Sequence, residues 1–332
     1  MKKRIITIGE VLMRLATTGH NRFFQADDFK VHFGGAEANV AISLSCFGQQ
    51  TSHITVFPDH DIGKTASNYL KKNDVDTSNV KFLDKGRMGL YFHEKGAMQR
   101  SSKIIYDRFN SSFSFIEAMD FDWDAIFRDS DWLHWTGITP AISATAAKFC
   151  STAIMKAKEH GLTISGDINY RRNLWQYGKT PKDIMPELIA NTHIIIAGLI
   201  DFENCLGIKK NSFEEACYVT CEKFANIQKI ATTRRKSVSA SANRLSGVLY
   251  DNGDVYLSKE YEMLQIVDRI GGGDAFMAGL IYGLLYKGNQ DALEFAIAAS
   301  VLKHSISGDA NMASVEEVEK LVRGENIGRL LR

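Results

Sequence analysis

From residue 131 onward the sequence alternates short apolar runs with longer segments of helical spacing, and that rhythm leaves few folds open. Residues 131–135 (DWLHW) read as a buried strand and 143–160 as a helix. A strand at 162–167 precedes a helix near 181–190, and a strand at 193–197 precedes helices near 201–206 and 211–225. Strand 228–233 leads into a hairpin, 246–251 and 254–258, that turns at Asp251-Asn252-Gly253. Helices at 273–287, 290–306 and 314–323 follow. Strands joined by helix-length crossovers lie parallel, and helices then cover both faces of the sheet. The expectation is an α/β protein built on a mostly parallel sheet.

The first third is different. Residues 4–8 read as a buried strand, 36–47 as a helix, 52–57 as a strand, and about 63–73 as a helix. The stretch 22–33 is aromatic and β-prone, and 88–93 and 103–109 read as strands around the polar turn EKGAMQRSS. Segments 11–33 and 86–112 do not fit the alternation and are expected to form a small separate sheet over the site. No linker or repeat interrupts the 332 residues, so 1–332 is expected to be one domain with that lid inserted. A net charge of +1 gives no reason to expect nucleic acid or an acidic membrane as partner. No run approaches the ~20 apolar residues of a membrane span. The apolar start is short and broken by Glu10 and Arg14, so it is not read as a signal peptide, and a cytoplasmic location is expected. Five cysteines without a CxxC pair read as buried thiols.

The most informative segment is VDRIGGGDAF, residues 267–276. Gly271, Gly272 and Gly273 permit a tight turn, and the apolar run after them starts a helix. Free N–H groups and the helix dipole favour an anion there. Asp274 sits at the same end, where a carboxylate stays ionised and can accept a proton. One turn would supply both an anion hole for a γ-phosphate and a base for a hydroxyl. An N-cap aspartate after a flexible loop would look the same. Gly63-Lys64-Thr65 and Gly178-Lys179-Thr180 lack the upstream glycine of a P-loop, since Pro58 and Asn173 stand there. No GxGxxG follows the first strand.

A second pair, Gly34 and Gly35, closes the first β segment, where a ligand could approach the backbone. Asn39 follows, able to hydrogen-bond sugar hydroxyls. GGAEAN (34–39) and DRIGGGD (268–274) together, in this order and spacing, resemble the PfkB/ribokinase family of carbohydrate kinases. The resemblance implies a ribokinase-like three-layer α/β/α sandwich with a small β-sheet lid, and the use of ATP and Mg²⁺. Lids in that family often pair, which implies a homo-oligomer through the lid.

GLYFHE (89–94), IIYDR (104–108), DINYRRNLW (167–175), TTRRKSVSAS (232–241) and KHSISGDANMAS (303–314) resemble the family's 2-keto-3-deoxygluconate kinases. That substrate carries a carboxylate. Arg108 and Arg171 suit it through charge-assisted, bidentate hydrogen bonds, and Tyr91 and Tyr106 add hydroxyls and flat walls. The resemblance places Asp309 at the family's last substrate contact. It places Asp167 and Asn169 near the ATP phosphates, and Thr232, Thr233, Arg234, Arg235, Lys236 and Ser237 along the nucleotide, with Gly271 and Gly273. Two positions depart from the family pattern. The N-x-x-E that organises Mg²⁺ through water reads Gly198-Leu199-Ile200-Asp201, leaving the shorter Asp201 for the metal's water shell. Arg269 stands where many relatives carry threonine beside a monovalent-cation site, and that site is not carried over. The function expected is phosphorylation of the 6-hydroxyl of 2-keto-3-deoxygluconate. The alternatives are a kinase for a neutral sugar such as fructose, or a catalytically weak regulatory protein on the same fold.

Overall fold

Ile5, Ile6 and Ile8 are all fully buried, yet they serve two cores. Ile6 and Ile8 join one and Ile5 the other, as the two-residue period of a strand covered on both faces requires. The computed structural model describes residues 2–237 and 239–325; Met1, Val238 and 326–332 of the expected 1–332 unit lie outside the described residues.

The first strands are β1 (Arg4–Ile8), β2 (Leu12–Thr17), β3 (Phe29–Gly34), β4 (Gln50–Ile54), β5 (Val56–Pro58), β6 (Val75–Asp76), β7 (Lys81–Leu83), β8 (Leu90–Glu94) and β9 (Lys103–Asp107). They continue with β10 (Trp132–Thr136), β11 (Thr163–Asp167), β12 (Ile194–Ile196), β13 (Lys229–Ser237), β14 (Asn243–Asp251), β15 (Asp254–Leu257) and β16 (Tyr261–Met263). The early helices are α1 (Ala36–Cys46), α2 (Asp61–Lys71), α3 (Trp123–Phe127), α4 (Thr139–Ile142), α5 (Ala144–Glu159) and α6 (Pro181–Ile189). The later ones are α7 (Leu199–Asp201), α8 (Phe213–Lys223), α9 (Gly272–Tyr286), α10 (Asn289–Lys303) and α11 (Val315–Val322).

Ten strands form the main sheet, ordered β15-β14-β13-β12-β11-β10-β1-β4-β6 with β16 added to β14. Pairing is parallel from β6 to β13 and antiparallel beyond. One face packs on α5, α6 and α8 through Phe149, Met185 and Phe213. The other packs on α1, α9 and α10 through Val40, Phe276 and Phe295. In such a sheet the ligand crevice lies at the carboxyl ends of the strands. The residues that follow β1, β10 and β11 meet there.

The early β segments form a second sheet, β3-β2-β8-β9, as expected. The strand expected at 52–57 instead divides at Thr55: β4 joins the main sheet, and β5 pairs with β7. Within 22–33 only β3 is extended, and Phe23–Gln25 is a 3₁₀ turn. The hairpin turns at Asn252 and Gly253, both at positive φ (49° and 100°), the geometry that favours Asn-Gly.

Gly279 of α9 lets that helix sit directly on α10, since a Cβ there would lie 2.7 Å from the Cα of Ala296. Gly279→Val should therefore destabilise the protein by about 1–3 kcal/mol through overpacking. A urea titration should show a lower midpoint with an unchanged slope.

Candidate active site

The two glycine motifs meet. Asn39, in the first turns of α1, donates from Nδ2 to Oδ2 of Asp274 at 2.7 Å. A cavity of about 310 Å³ surrounds them, lined by Gly34, Gly35, Asn39, Tyr91, Tyr106, Arg108, Asp167, Asn169, Arg171, Gly271, Gly272, Gly273, Asp274 and Asp309. Oδ1 of Asn39 is buried without a partner, a free acceptor for a hydroxyl.

The three glycines of the turn have different work. Gly271 caps α9 at φ 84°, and a Cβ on it would strike the carbonyl oxygen of Asp309. Gly273 has open space where a Cβ would stand, and it lines the cavity. At Gly34 and Gly35 the close neighbours are protein: a Cβ would meet the Asp309 carboxylate at 2.3 Å and the carbonyl of Glu10 at 2.1 Å. These two are thus required for chain packing, and both also line the cavity.

Three carboxylates gather at the strand ends. Burial raises the Asp274 carboxyl to about 7, against the hydrogen bond from Asn39. Burial, and then the charges of Asp201 and Asp274, raise Asp167 to about 8. Asp201 is committed to the backbone, accepting from Gly198 N at 2.7 Å and Tyr170 N at 3.0 Å. Asn169 is held at φ 42° with its N–H on Asp167. Such a gathering of half-buried carboxylates suits a bound cation. No cluster able to hold a metal by protein ligands alone occurs among the described residues.

The lid supplies the opposite wall. Tyr91 on β8 pairs across the sheet with Tyr106 on β9, rings 5.8 Å apart. Tyr91 is buried and donates to Oδ2 of Asp309. Arg108 is also buried, and Glu10 accepts from its Nε at 2.9 Å and from its Nη2. Both N–H groups of Nη1 and the second of Nη2 remain, so the outer edge of the Arg108 guanidinium can still make a two-pronged contact while Glu10 holds the inner edge. Arg171 is exposed and spends Nη1 on the carbonyl of Tyr170. Asp309 has both oxygens engaged, one by Tyr91 and one by Arg14 at 2.7 Å.

Sequence reasoning missed Arg14. It is almost fully buried and reaches Asp268 at 2.8 Å, Asp309 at 2.7 Å and His93 at 2.6 Å. Burial disfavours its charge, but Asp309 and Asp268 outweigh that and raise its pKa. Glu37, inside GGAEAN, was missed as well; its Oε1 accepts from Thr136 and Thr139 and ties α1 to the end of β10. The available signal was charge inside apolar strand context, as in IGEVLMRLAT.

The run 232–237 does not line this cavity. It belongs to β13, where alternate side chains point opposite ways. Arg234 pairs with Glu214 and Lys236 with Glu260, both at the surface; Arg235 is exposed too, and desolvation, then the charge of Arg269, lowers its pKa.

A carboxylate beside a glycine-rich helix start, at the carboxyl ends of a parallel sheet and under a small β sheet, suits a phosphotransferase acting on an alcohol. Comparison with known proteins agrees. The chain belongs to the pfkB family of carbohydrate kinases, whose sequence pattern matches residues 2–315. A 2-dehydro-3-deoxygalactonokinase of Haloferax volcanii is 26% identical over 329 residues, 99% of each chain. A 5-dehydro-2-deoxygluconokinase of Clostridium botulinum is 27% identical over 349 residues, covering 99% of this chain and 97% of its own. The crystal structure of 2-dehydro-3-deoxygluconokinase from Thermotoga maritima superposes with a TM-score of 0.91 at 38% identity, covering 97% of this chain and all of the other. The protein is an ATP-dependent sugar kinase with the ribokinase-like fold.

Asp274→Asn should keep the contact with Asn39 but lose the proton acceptor. A fall of about 10²–10⁴ in kcat is expected, with ATP binding retained. In the wild type, kcat/KM should rise with pH through about 7, because the base works only deprotonated and its pKa is raised to about 7 in the free protein. A folded pKa above the unfolded one also means that these carboxyls weaken the fold as pH rises from about 4 to about 8. Asp274→Asn should therefore gain more thermal stability over wild type at about pH 8 than at about pH 5. Melting curves at the two pH values check this.

Proposed function

We propose that the chain transfers the γ-phosphate of ATP to the 6-hydroxyl of 2-keto-3-deoxygluconate, also called 2-dehydro-3-deoxygluconate. The observation that carries the reading is that Asp274 shares its cavity with Arg108, Arg171, Tyr91 and Tyr106. A neutral sugar has no use for two guanidinium groups there. The relatives compared above are named for keto-deoxy sugar acids, a class that carries a carboxylate.

In the proposed reaction Asp274 takes the hydroxyl proton while Asn39 holds its carboxylate in place. The free N–H groups of Gly271, Gly272 and Gly273 receive the charge that develops on the transferring phosphoryl group. Tyr91, Tyr106, Arg171 and Nη1 of Arg108 orient the acid end of the sugar. Asp309 fixes Tyr91. Asp167 and Asn169 face the phosphates. Mg²⁺, brought with ATP, would be held through water by Asp167 and Asp201 and would neutralise phosphate charge. The lid segments 11–33 and 86–112 close the sugar side.

A charged hydrogen bond in a closed site contributes about 1.5–3 kcal/mol. Arg171→Ala should thus lower kcat/KM for 2-keto-3-deoxygluconate by roughly 10–150-fold and hardly change that for fructose. Lysine should restore part of the loss. A panel of 2-keto-3-deoxygluconate, its galactonate epimer, fructose and ribose tests this. Equal losses on acid and neutral sugars would remove the acid-sugar assignment. Asp201→Ala should raise the Mg²⁺ concentration needed for half-maximal rate more than it raises the sugar KM. An unchanged Mg²⁺ titration would take Asp201 out of the metal's surroundings.

A further inference from the structure

Lys303, the last residue of α10, is the one fully buried lysine among the described residues. An ammonium kept from water is costly unless charges and hydrogen bonds around it compensate. Its Nζ donates to the carbonyl of Ile306 at 3.1 Å. Among the described residues it forms no ion pair, since the nearby carboxylates of Asp268 and Asp309 are paired with Arg14. Nothing in the reaction described above uses this group.

The glycine turn rests on the end of α10. Oγ of Ser300 donates to the carbonyl of Gly272 at 2.8 Å, and the carbonyl of His304 accepts from Val267 N at 2.8 Å. The His304 ring packs on Gly272, where a Cβ would lie 2.6 Å from its Cε1. Lys303 completes this floor. A Cβ on Gly271 would lie 3.2 Å from Cε of Lys303. The lysine stem thus lies against the one glycine of the turn at positive φ, and its head holds the loop that runs on to Asp309. The charges acting on the ammonium come from four elements: Asp268 from the turn, Asp309 from the loop, Asp274 from α9 and Arg14 from the lid strand. Burial lowers its pKa, and the three carboxylates oppose that while Arg14 adds to it. Three carboxylates against one guanidinium leave negative charge that an ammonium balances.

We propose that Lys303 is a positioning residue for phosphoryl transfer, a tethered ammonium that fixes the glycine turn against the loop 306–309 and keeps positive charge behind it. This rests on the reading of Asp274 as base beside that turn, and not on which sugar is taken. An apolar side chain of the same length would pack under Gly271 as well and would carry no cost of desolvation, so packing alone gives no reason for a lysine. Charge at this place has two possible sources, the protein itself or a small cation captured from solution. A lysine on a helix end supplies it permanently, and no exchangeable cation is then needed.

The test compares kcat, KM and the pH–rate profile of the wild type, Lys303→Met and Lys303→Ala. Rates are taken with whichever sugar of the panel the wild type phosphorylates fastest, so failure of the 2-keto-3-deoxygluconate assignment leaves the test intact. Methionine fills a similar volume without the charge. Lys303→Met should lower kcat by about 10-fold or more, with the sugar KM within about 3-fold of wild type. Its pH–rate inflection should move above the wild-type value of about 7, because a cation that favours ionised Asp274 is gone. Lys303→Ala should regain rate in potassium or ammonium chloride. The wild type should run equally fast in sodium, potassium and choline chloride. Lys303→Met with wild-type kcat and inflection would overturn the proposal and leave the lysine as packing. A wild type whose rate requires potassium would overturn it too, even if neither variant folds.

Discussion

The guanidinium of Arg14 is the interaction on which the site depends. It sits on a lid strand, and its carboxylate partners belong to two other parts of the chain. Asp268 begins the glycine turn, and Asp309 lies in the loop after α10. Asp268 in turn accepts from the N–H groups of Ile270 and Gly308, so one buried cation sets the spacing of turn, loop and lid together. Such a network is a weak source of net stability, because taking charges out of water costs nearly what their attraction returns. Losing one member is different, since it strands the others; removal of one partner from a buried pair typically costs about 3–5 kcal/mol.

Asp274, the proposed base, lives under the opposite condition. Asp274 has a helix N-terminus and an amide donor to steady its charge, yet burial wins and raises it to about 7. Asp167 and Asp201 add negative charge that Arg171 offsets only in part. In the proposed reaction a metal brought with the nucleotide would relieve this arrangement by supplying positive charge. The protein thus holds the proposed base in a state that is costly when empty and useful when full.

Part of this was legible residue by residue. Asp251-Asn252-Gly253 names its own turn, because only residues that tolerate positive φ fit two successive left-handed positions. The helix after GGGD and the parallel order of β10 to β13 followed from periodicity and crossover length. The break at Thr55 was not legible, because a continuous apolar run looks the same whether it serves one sheet or two. Arg108 shows the same limit at the site. Its type and position suggested a carboxylate partner, and the structure supplies one from the protein itself, Glu10.

The sequence by itself determined the α/β alternation, the glycine turn with Asp274 at its helix start, and the lid segments as β structure. Each of these depends on local geometry: period, turn propensity, or the free N–H groups of one helix start. Only the tertiary structure decided that Asn39 and Asp274 touch, although 235 positions separate them. It also decided that Asp309 holds Tyr91, and that the arginines of 234–235 face different neighbours. Those facts depend on packing across the sheet and on desolvation, and both arise only when distant segments exclude water from the same small volume.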